Sequence, residues 1–241
     1  MKKALTVGVV HAKSSSSRIP QKNSLKYFGE PLYLIALKKL AAIGISDVFL
    51  DTDSDEFIQI ASSNGFLTSK RPSYEANNSV DGNELISNFL SRENLSPNHL
   101  AQLSCTMPFI STKTLQSVLR ECIESNTSGF LGTVQKNYSW ISSEPHSIRA
   151  LYNVLDIPNS VDLNDQIIEV TGFYVVRLNE QSTKILRIPQ PSVMFITNEY
   201  ETFDLNFHPD YEFSRIIESG LKENGMTELP SGLTGQKYFF N

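Results

Sequence analysis

The chain has 241 residues, 21 basic against 26 acidic side chains, and a formal charge of −5; 40% of its residues are hydrophobic and 20% charged. These are globular proportions, and they exclude disorder, collagen and coiled coil as its main character. The mild acidity disfavours nucleic acid as a partner, and two cysteines with no CxxC make neither a disulfide framework nor a structural zinc site. No stretch approaches the ~18 apolar residues of a membrane span. The basic start at Lys2 and Lys3 precedes only a short apolar run that ends in His11 and Lys13, which is not a signal peptide. A soluble, reduced, cytoplasmic protein without a membrane partner is expected.

In chain order, residues 5–10 are continuously apolar and β-branched, as in a strand buried on both faces. A polar loop follows. Residues 31–43 then carry a wide apolar helical face, with Pro31 in the first turn and Gly44 as the stop. A strand at 48–50 runs into Asp51-Thr52-Asp53, where N-capping of the next helix, 54–63, accounts for one aspartate and is favoured for Asp53. Gly65 closes that helix, and a short strand begins at 66–67. Arg71-Pro72 opens a polar loop, with surface exposure and a site role equally open for Arg71. A helix at 82–90, a strand at 99–104, a helix at 111–124 and a strand at 130–134 complete the alternation.

Strand–helix alternation at this spacing predicts an α/β fold. Its doubly wound, mostly parallel, Rossmann-like sheet would bind ligand at the C-terminal strand ends. Residues 137–165 break the pattern and read as an arm or lid projecting from one domain that spans 1–241. The sheet pattern returns at 167–176, and a last strand is expected near 194–197. A closing helix opens at Pro209, where Asp210 suits the helix dipole. His11 reads as a core-edge histidine, His99 and His208 as loop residues, Trp140 as a packing or interface residue, and Cys105 as a small buried hydrophobe.

The chemistry concentrates after the first strand. Lys13, Arg18, Lys22 and Lys26 lie within fourteen residues, interleaved with Ser14 to Ser17. A basic, hydroxyl-rich loop at the end of a parallel strand is where α/β proteins bind phosphate. The segment holds no glycine, so it is neither a P-loop nor a dinucleotide turn. Asp204 and Asn206, two apart on an extended segment, can face one side and hold a cation, although a turn explains them equally.

The segment from Ala12 to Asn23, AKSSSSRIPQKN, resembles the signature A-R-G-G-S-K-R-I-P-x-K-N of the acylneuraminate cytidylyltransferases. Leu50-Asp51-Thr52-Asp53 is similar to their V-S-T-D, Arg71-Pro72 to R-P, and Ser104 to Phe109 to Q-P-T-S-P-L. Thr171 to Tyr174 is similar to N-G-x-I-Y, and Phe203 to Asn206 with Asp210 to I-D-I-D and its later aspartate. These segments fall in the family's order along nearly the whole chain.

The resemblance implies a nucleotide-diphospho-sugar transferase-like fold with a dimerising arm. It implies Mg²⁺ as cofactor, CTP and an acidic, sialic- or nonulosonic-type sugar as substrates, and a homodimer as the assembly. Lys13, Lys22 and Asp204 would carry catalysis. Ala12, Lys13, Ser14, Ser15, Ser16, Arg18, Lys22, Asn23, Arg71 and Asp81 would surround the nucleotide, and Asp204 with Asn206 would hold the metal.

Several positions depart from the family pattern. Ser14 and Ser15 replace glycines, and Asn206 replaces an aspartate. Ser104, Ile110 and Glu169 stand near places of a glutamine and two arginines on the sugar side. An acidic sugar calls for cationic partners. These changes imply a sugar other than ordinary sialic acid, or a rebuilt sugar site. The loop discriminates poorly among bases, so a same-fold transferase using another base or sugar, or a non-catalytic nucleotide-binding relative, stays open.

Overall fold

A computed structural model describes residues 6–76, 79–178 and 185–241. The basic start of the chain and Leu5, read as the first residue of the opening strand, lie outside the described residues. The strands and helices in chain order are β1 (Thr6–His11), β2 (Lys26–Tyr27), β3 (Glu30–Pro31), α1 (Leu32–Ala42), β4 (Asp47–Thr52), α2 (Asp55–Ser63), β5 (Leu67–Lys70), α3 (Gly82–Arg92) and β6 (His99–Leu103). Then come α4 (Thr112–Ser125), β7 (Ser128–Gln135), β8 (Trp140–Glu144), β9 (Ser147–Ala150), β10 (Gln166–Arg177), β11 (Ser192–Ile196), α5 (His208–Glu223) and β12 (Lys237–Phe240).

Eight strands form one sheet in the order β12-β11-β7-β10-β6-β1-β4-β5. Among the described strands of this sheet, β10 and β12 run against the rest. The chain moves outward from β1 to β4 and β5, then crosses back to β6 on the other side of β1. That reversal opens a crevice at the carboxyl end of β1, where α/β sheets take ligands.

The continuous apolar run of β1 follows from burial on both faces. Val7 and Val9 pack with Ile86, Phe89 and Leu90 of α3. Val10 faces the larger core, built with Leu37 and Leu40 of α1, Phe57 of α2, and Leu115 and Val118 of α4. Each such fully buried side chain contributes about 1.5–3 kcal/mol. Gly8 lies under α1, where a Cβ would meet Leu40 at 3.3 Å.

Two expectations are corrected at the end of the chain and one at β6. The expected last strand is β11, and a further strand, β12, pairs with it antiparallel. Four residues at a sheet edge carry too little periodicity to be read from sequence. His99 is no loop residue; it opens β6 and is buried. His208 begins α5. Within residues 137–165, β8 and β9 form a separate two-stranded hairpin in which Trp140 packs edge-on to Tyr152.

Packing at Gly129 of β7 leaves no room for a side chain. A Cβ there would meet Cys122 Sγ at 2.5 Å and a Phe195 ring carbon at 2.7 Å. Gly129→Ala should therefore destabilise by about 1–3 kcal/mol and lower Tm by several degrees. Gly220→Ala, in α5 with open space around it, should raise Tm slightly by improving helix propensity. Calorimetric melting of both variants checks the contrast.

Candidate active site

Parallel pairing sets His11 of β1 beside Asp51 of β4. Ala12 is buried, and its N–H donates to the Asp51 carbonyl at 3.0 Å, extending the ladder by one residue. The Arg71 N–H similarly donates to the Thr52 carbonyl at 2.8 Å. The strand ends thus continue directly into the floor of an open cleft of about 540 Å³.

Lys13, Ser16, Ser17, Arg18, Lys22 and Asn23 line one part of this cleft. His11, Arg71, Glu75, Ala76, Val80, Leu85 and Thr106 line the rest. A cleft of about 680 Å³ lies at the opposite end of β6, bounded by α3 and residues 185–190. Its lining carries Arg177 as its one charged side chain among the described residues. The smaller cleft is therefore the one whose lining gathers several cations, Lys13, Arg18, Lys22 and Arg71.

Asp51 is the electrostatic centre of the floor. Its carboxylate accepts from His11 Nδ1 at 2.6 Å, from Arg71 Nε at 3.0 Å and Nη2 at 2.8 Å, and from Arg92 Nη2 at 2.6 Å. Arg92 also donates to Glu75 Oε2 at 2.9 Å and Ser69 Oγ at 3.0 Å. Burial alone would raise the Asp51 pKa, but the His11 hydrogen bond and the Arg71 charge overcome it and hold the group at about 2. Arg71 is thus no surface residue; it is 4% exposed.

The loop is held by side chains. Asp53 accepts from Ser14 N–H at 2.7 Å and Ser14 Oγ at 2.6 Å. The cap of α2 is Ser54, which accepts from Phe57 N–H, so the capping role expected of Asp53 belongs to its neighbour. Asn23 donates to the Lys13 carbonyl at 2.8 Å and accepts from Cys105 Sγ at 3.3 Å, joining the two ends of the loop. Cys105 is buried, and burial pushes its thiol up to about 12.

Lys22 is 9% exposed, and among the described residues it has no ion pair. Burial pulls its pKa below the ordinary lysine range; Asp204 opposes that, and Arg18 and Lys13 add to it. Arg18 also lies 5.7 Å from the Phe207 ring centre.

The loop after β11 carries Asp204. It is fastened by buried Glu201, which accepts from Ser111 N–H at 2.9 Å and Ser111 Oγ at 2.6 Å at the start of α4. Leu205 N–H donates to the Thr106 carbonyl at 2.9 Å, bringing this loop to the cleft. Asp204 Oδ1 is buried with no partner among the described residues. Its Oδ2 accepts from Asn206 Nδ2 at 2.8 Å. Asp210 accepts from the N–H groups of Asn206 and Phe207, closing the start of α5.

Of the residues singled out in sequence, Lys13, Ser16, Arg18, Lys22, Asn23 and Arg71 line the cleft together. Ala12, Ser14 and Asn206 support that lining rather than joining it. Ser15 is exposed. Asp81 caps α3, accepting from Asn83 and Glu84 N–H, directly after the lining residue Val80. His11, Glu75, Val80 and Leu85 were not singled out as site residues; only proximity to the basic loop and to Arg71-Pro72 marked them. Arg187 was not singled out either. It lies over the Tyr174 ring at 4.3 Å and 3.6 Å from Glu169, close to an expected arginine position.

A family model described as cytidylyltransferase matches residues 7–169. Two curated relatives are pseudaminic acid cytidylyltransferases of Campylobacter jejuni subsp. jejuni. The protein of serotype O:23/36 is 21% identical over 218 residues, covering 87% of this chain and 94% of the relative. That of serotype O:2 is 22% identical over 220 residues with the same coverage. Among solved structures, a CMP:2-keto-3-deoxy-manno-octonic acid synthetase complexed with CTP aligns with TM-score 0.54 at 15% identity, covering 94% of this chain and 91% of that one. The 4-diphosphocytidyl-2C-methyl-D-erythritol synthase of Anaerococcus prevotii aligns with TM-score 0.62 at 11% identity, covering 89% and 98%. These likenesses establish the nucleotide-diphospho-sugar transferase-type fold.

Removing the Asp51 charge should unfold the floor. Asp51→Asn leaves two guanidinium groups without their shared carboxylate and should cost about 3–5 kcal/mol. Because the folded-state pKa is depressed, this stabilisation is complete above the unfolded carboxylate range and is lost as pH falls toward about 2. Urea unfolding at a series of pH values should show the variant with a flatter acid limb than the wild type.

Proposed function

The chain belongs to the cytidylyltransferase family, and we propose that it transfers CMP from CTP to an acidic sugar of the nonulosonic type, releasing pyrophosphate. One observation carries this reading. Buried Lys22, without an ion pair among the described residues, sits with Lys13 and Arg18 at the strand ends, and Asp204, whose charge acts on it, has one carboxylate oxygen without a partner among the described residues. That is a site suited to a polyanion accompanied by a metal ion.

In the reaction, the sugar's anomeric hydroxyl oxygen attacks the α-phosphorus of CTP. The new P–O bond forms as the bond to the β-phosphate oxygen breaks. Pyrophosphate leaves with that electron pair, and the hydroxyl proton passes to solvent. Such a step needs charge neutralisation and in-line placement more than covalent participation. Lys13, Arg18 and Lys22 would neutralise the triphosphate. Ser16 and Ser17 would donate hydroxyl hydrogen bonds to phosphate oxygens. Asn23 would act chiefly by fixing the loop, with one amide hydrogen left for the nucleotide.

The donor set fits Mg²⁺, because an orphaned carboxylate oxygen beside a phosphate cradle matches the ion's preference for few protein oxygens. Asp204 would hold it, and Asn206 would brace Asp204 through Nδ2. When bound, the ion supplies charge stabilisation on the phosphates. The sugar class rests on the pseudaminic acid cytidylyltransferases that resemble the chain. Arg187, which lies beside Glu169, would supply a guanidinium for the sugar's carboxylate.

A homodimer is part of the same reading. Ile141, Ile148, Leu155 and Ile157, on and after the β8–β9 hairpin, expose large apolar surfaces, with Leu155 94% exposed. Register pairs Ile141 with Arg149 and Ile148 with Ser142, so apolar side chains stand on both faces of the hairpin, and a second copy would cover them.

Purified protein with CTP, Mg²⁺ and a nonulosonic acid should release pyrophosphate. Lys22→Ala should lower kcat/KM about 10²-fold or more, and Asp204→Asn should raise the Mg²⁺ concentration needed for half-maximal rate. Retained wild-type rates in both variants would overturn these assignments. Sedimentation should give a dimer, and Ile148→Glu combined with Leu155→Glu should give a monomer.

A further inference from the structure

The cleft is rich in donors, yet His11 in its lining carries a buried acceptor without a partner among the described residues. His11 lines the cleft, and its side chain is 6% exposed. Nδ1 is committed to Asp51 at 2.6 Å. Asp51 is shared with two guanidinium groups and is ionised, so it can only accept. Nδ1 therefore carries the hydrogen. In the neutral ring Nε2 is then a bare lone pair, and it is buried with no partner among the described residues.

The groups facing the ring are Asp51 from β4, Arg71 from the loop after β5, at 3.4 Å from Nδ1, and Phe89 and Arg92 from α3. Burial lowers the His11 pKa. Asp51 opposes that, and Arg71 and Arg92 add to it, so the neutral ring prevails near pH 7.

The lining also separates into two regions. Lys13, Arg18 and Lys22 gather on the loop near Asp204, where phosphates belong. His11 instead sits with Arg71, and the same cleft holds Ala76, Val80 and Leu85, apolar surfaces suited to the face of a base. The base carried by the triphosphate would therefore meet His11. Cytosine presents an amine at position 4, where uracil presents a carbonyl. A lone pair held rigidly in a buried site accepts from the first and repels the second.

We propose that His11, oriented by Asp51, selects CTP against UTP by accepting a hydrogen bond from the cytosine 4-amino group at Nε2. This rests on the reading of the cleft as the CTP site. It assigns base choice to a histidine–aspartate pair set by strand register rather than to the phosphate loop.

The test is calorimetric titration of the full chain with CTP and with UTP, each with Mg²⁺, at pH 8. Wild type should prefer CTP. His11→Asn can still donate to Asp51 but lacks an acceptor at the Nε2 position, and it should lose about tenfold of that preference, through weaker CTP binding. His11→Gln presents either an oxygen or an NH₂ group there and should bind both nucleotides. Equal affinity of wild type for CTP and UTP, or an unchanged CTP preference in both folded variants, overturns the proposal and leaves the cleft as the nucleotide site. Binding of neither nucleotide by wild type overturns the reading of the cleft itself.

If the variants do not fold, wild type labelled with ¹⁵N-histidine decides. The His11 Nε2 resonance should be that of an unprotonated nitrogen and should move with CTP but not with UTP. A resonance unmoved by CTP overturns the proposal.

Discussion

A single buried carboxylate, Asp51, holds the floor of the cleft together. It lies at the end of β4, next to the sheet's edge strand, and gathers His11, Arg71 and Arg92 from three other segments. Each of those groups would be costly to bury alone. Together with Glu75, the two carboxylates balance the two guanidinium groups, and a neutral imidazole adds no charge. The network therefore closes electrically without any ligand. It also fixes geometry, because Arg71 lines the cleft while Arg92 anchors α3, so helix and cleft keep a constant relation to β1 and β4.

The basic loop after β1 depends on that floor but is held differently. Glycines in such loops let the backbone approach an anion closely and adopt positive φ. Here Ser14 stands in one such place, and Asp53 receives both its N–H and its hydroxyl. Asn23 and Cys105 tie down the far end. Backbone freedom has been exchanged for side-chain bonds to the strand ends. Lys13, Ser16, Ser17, Arg18 and Lys22 still converge on the cleft, so the change in sequence has not dispersed the cations.

Much of the architecture was legible because its physical causes are local. Residues 5–10 read as a doubly buried strand since no charged side chain interrupts them, and Gly44 and Gly65 marked helix ends, where the structure gives both a positive φ. The reversed direction of β10 was not legible, because strand direction leaves no periodic mark. Asp53 read as a cap, yet its carboxylate turned to Ser14, thirty-nine residues earlier, a contact that only tertiary folding creates. Arg71 looked equally suited to the surface because its partner Asp51 lies on another strand. Composition also hid His11, since a histidine at a strand end is common. Only its pairing with Asp51 and the unmet nitrogen opposite distinguish it.

The tethering of Ser14 and Asn23 bears on the timing of nucleotide encounter. A loop already fixed to rigid strand ends has little disorder left to lose when a ligand arrives. If the cleft takes the nucleotide as proposed, association would need no slow closure step, and entry rates would be similar whatever the base. Discrimination among them would be expressed in residence time, in how quickly a mismatched nucleotide departs from a cradle that does not reshape itself to keep it.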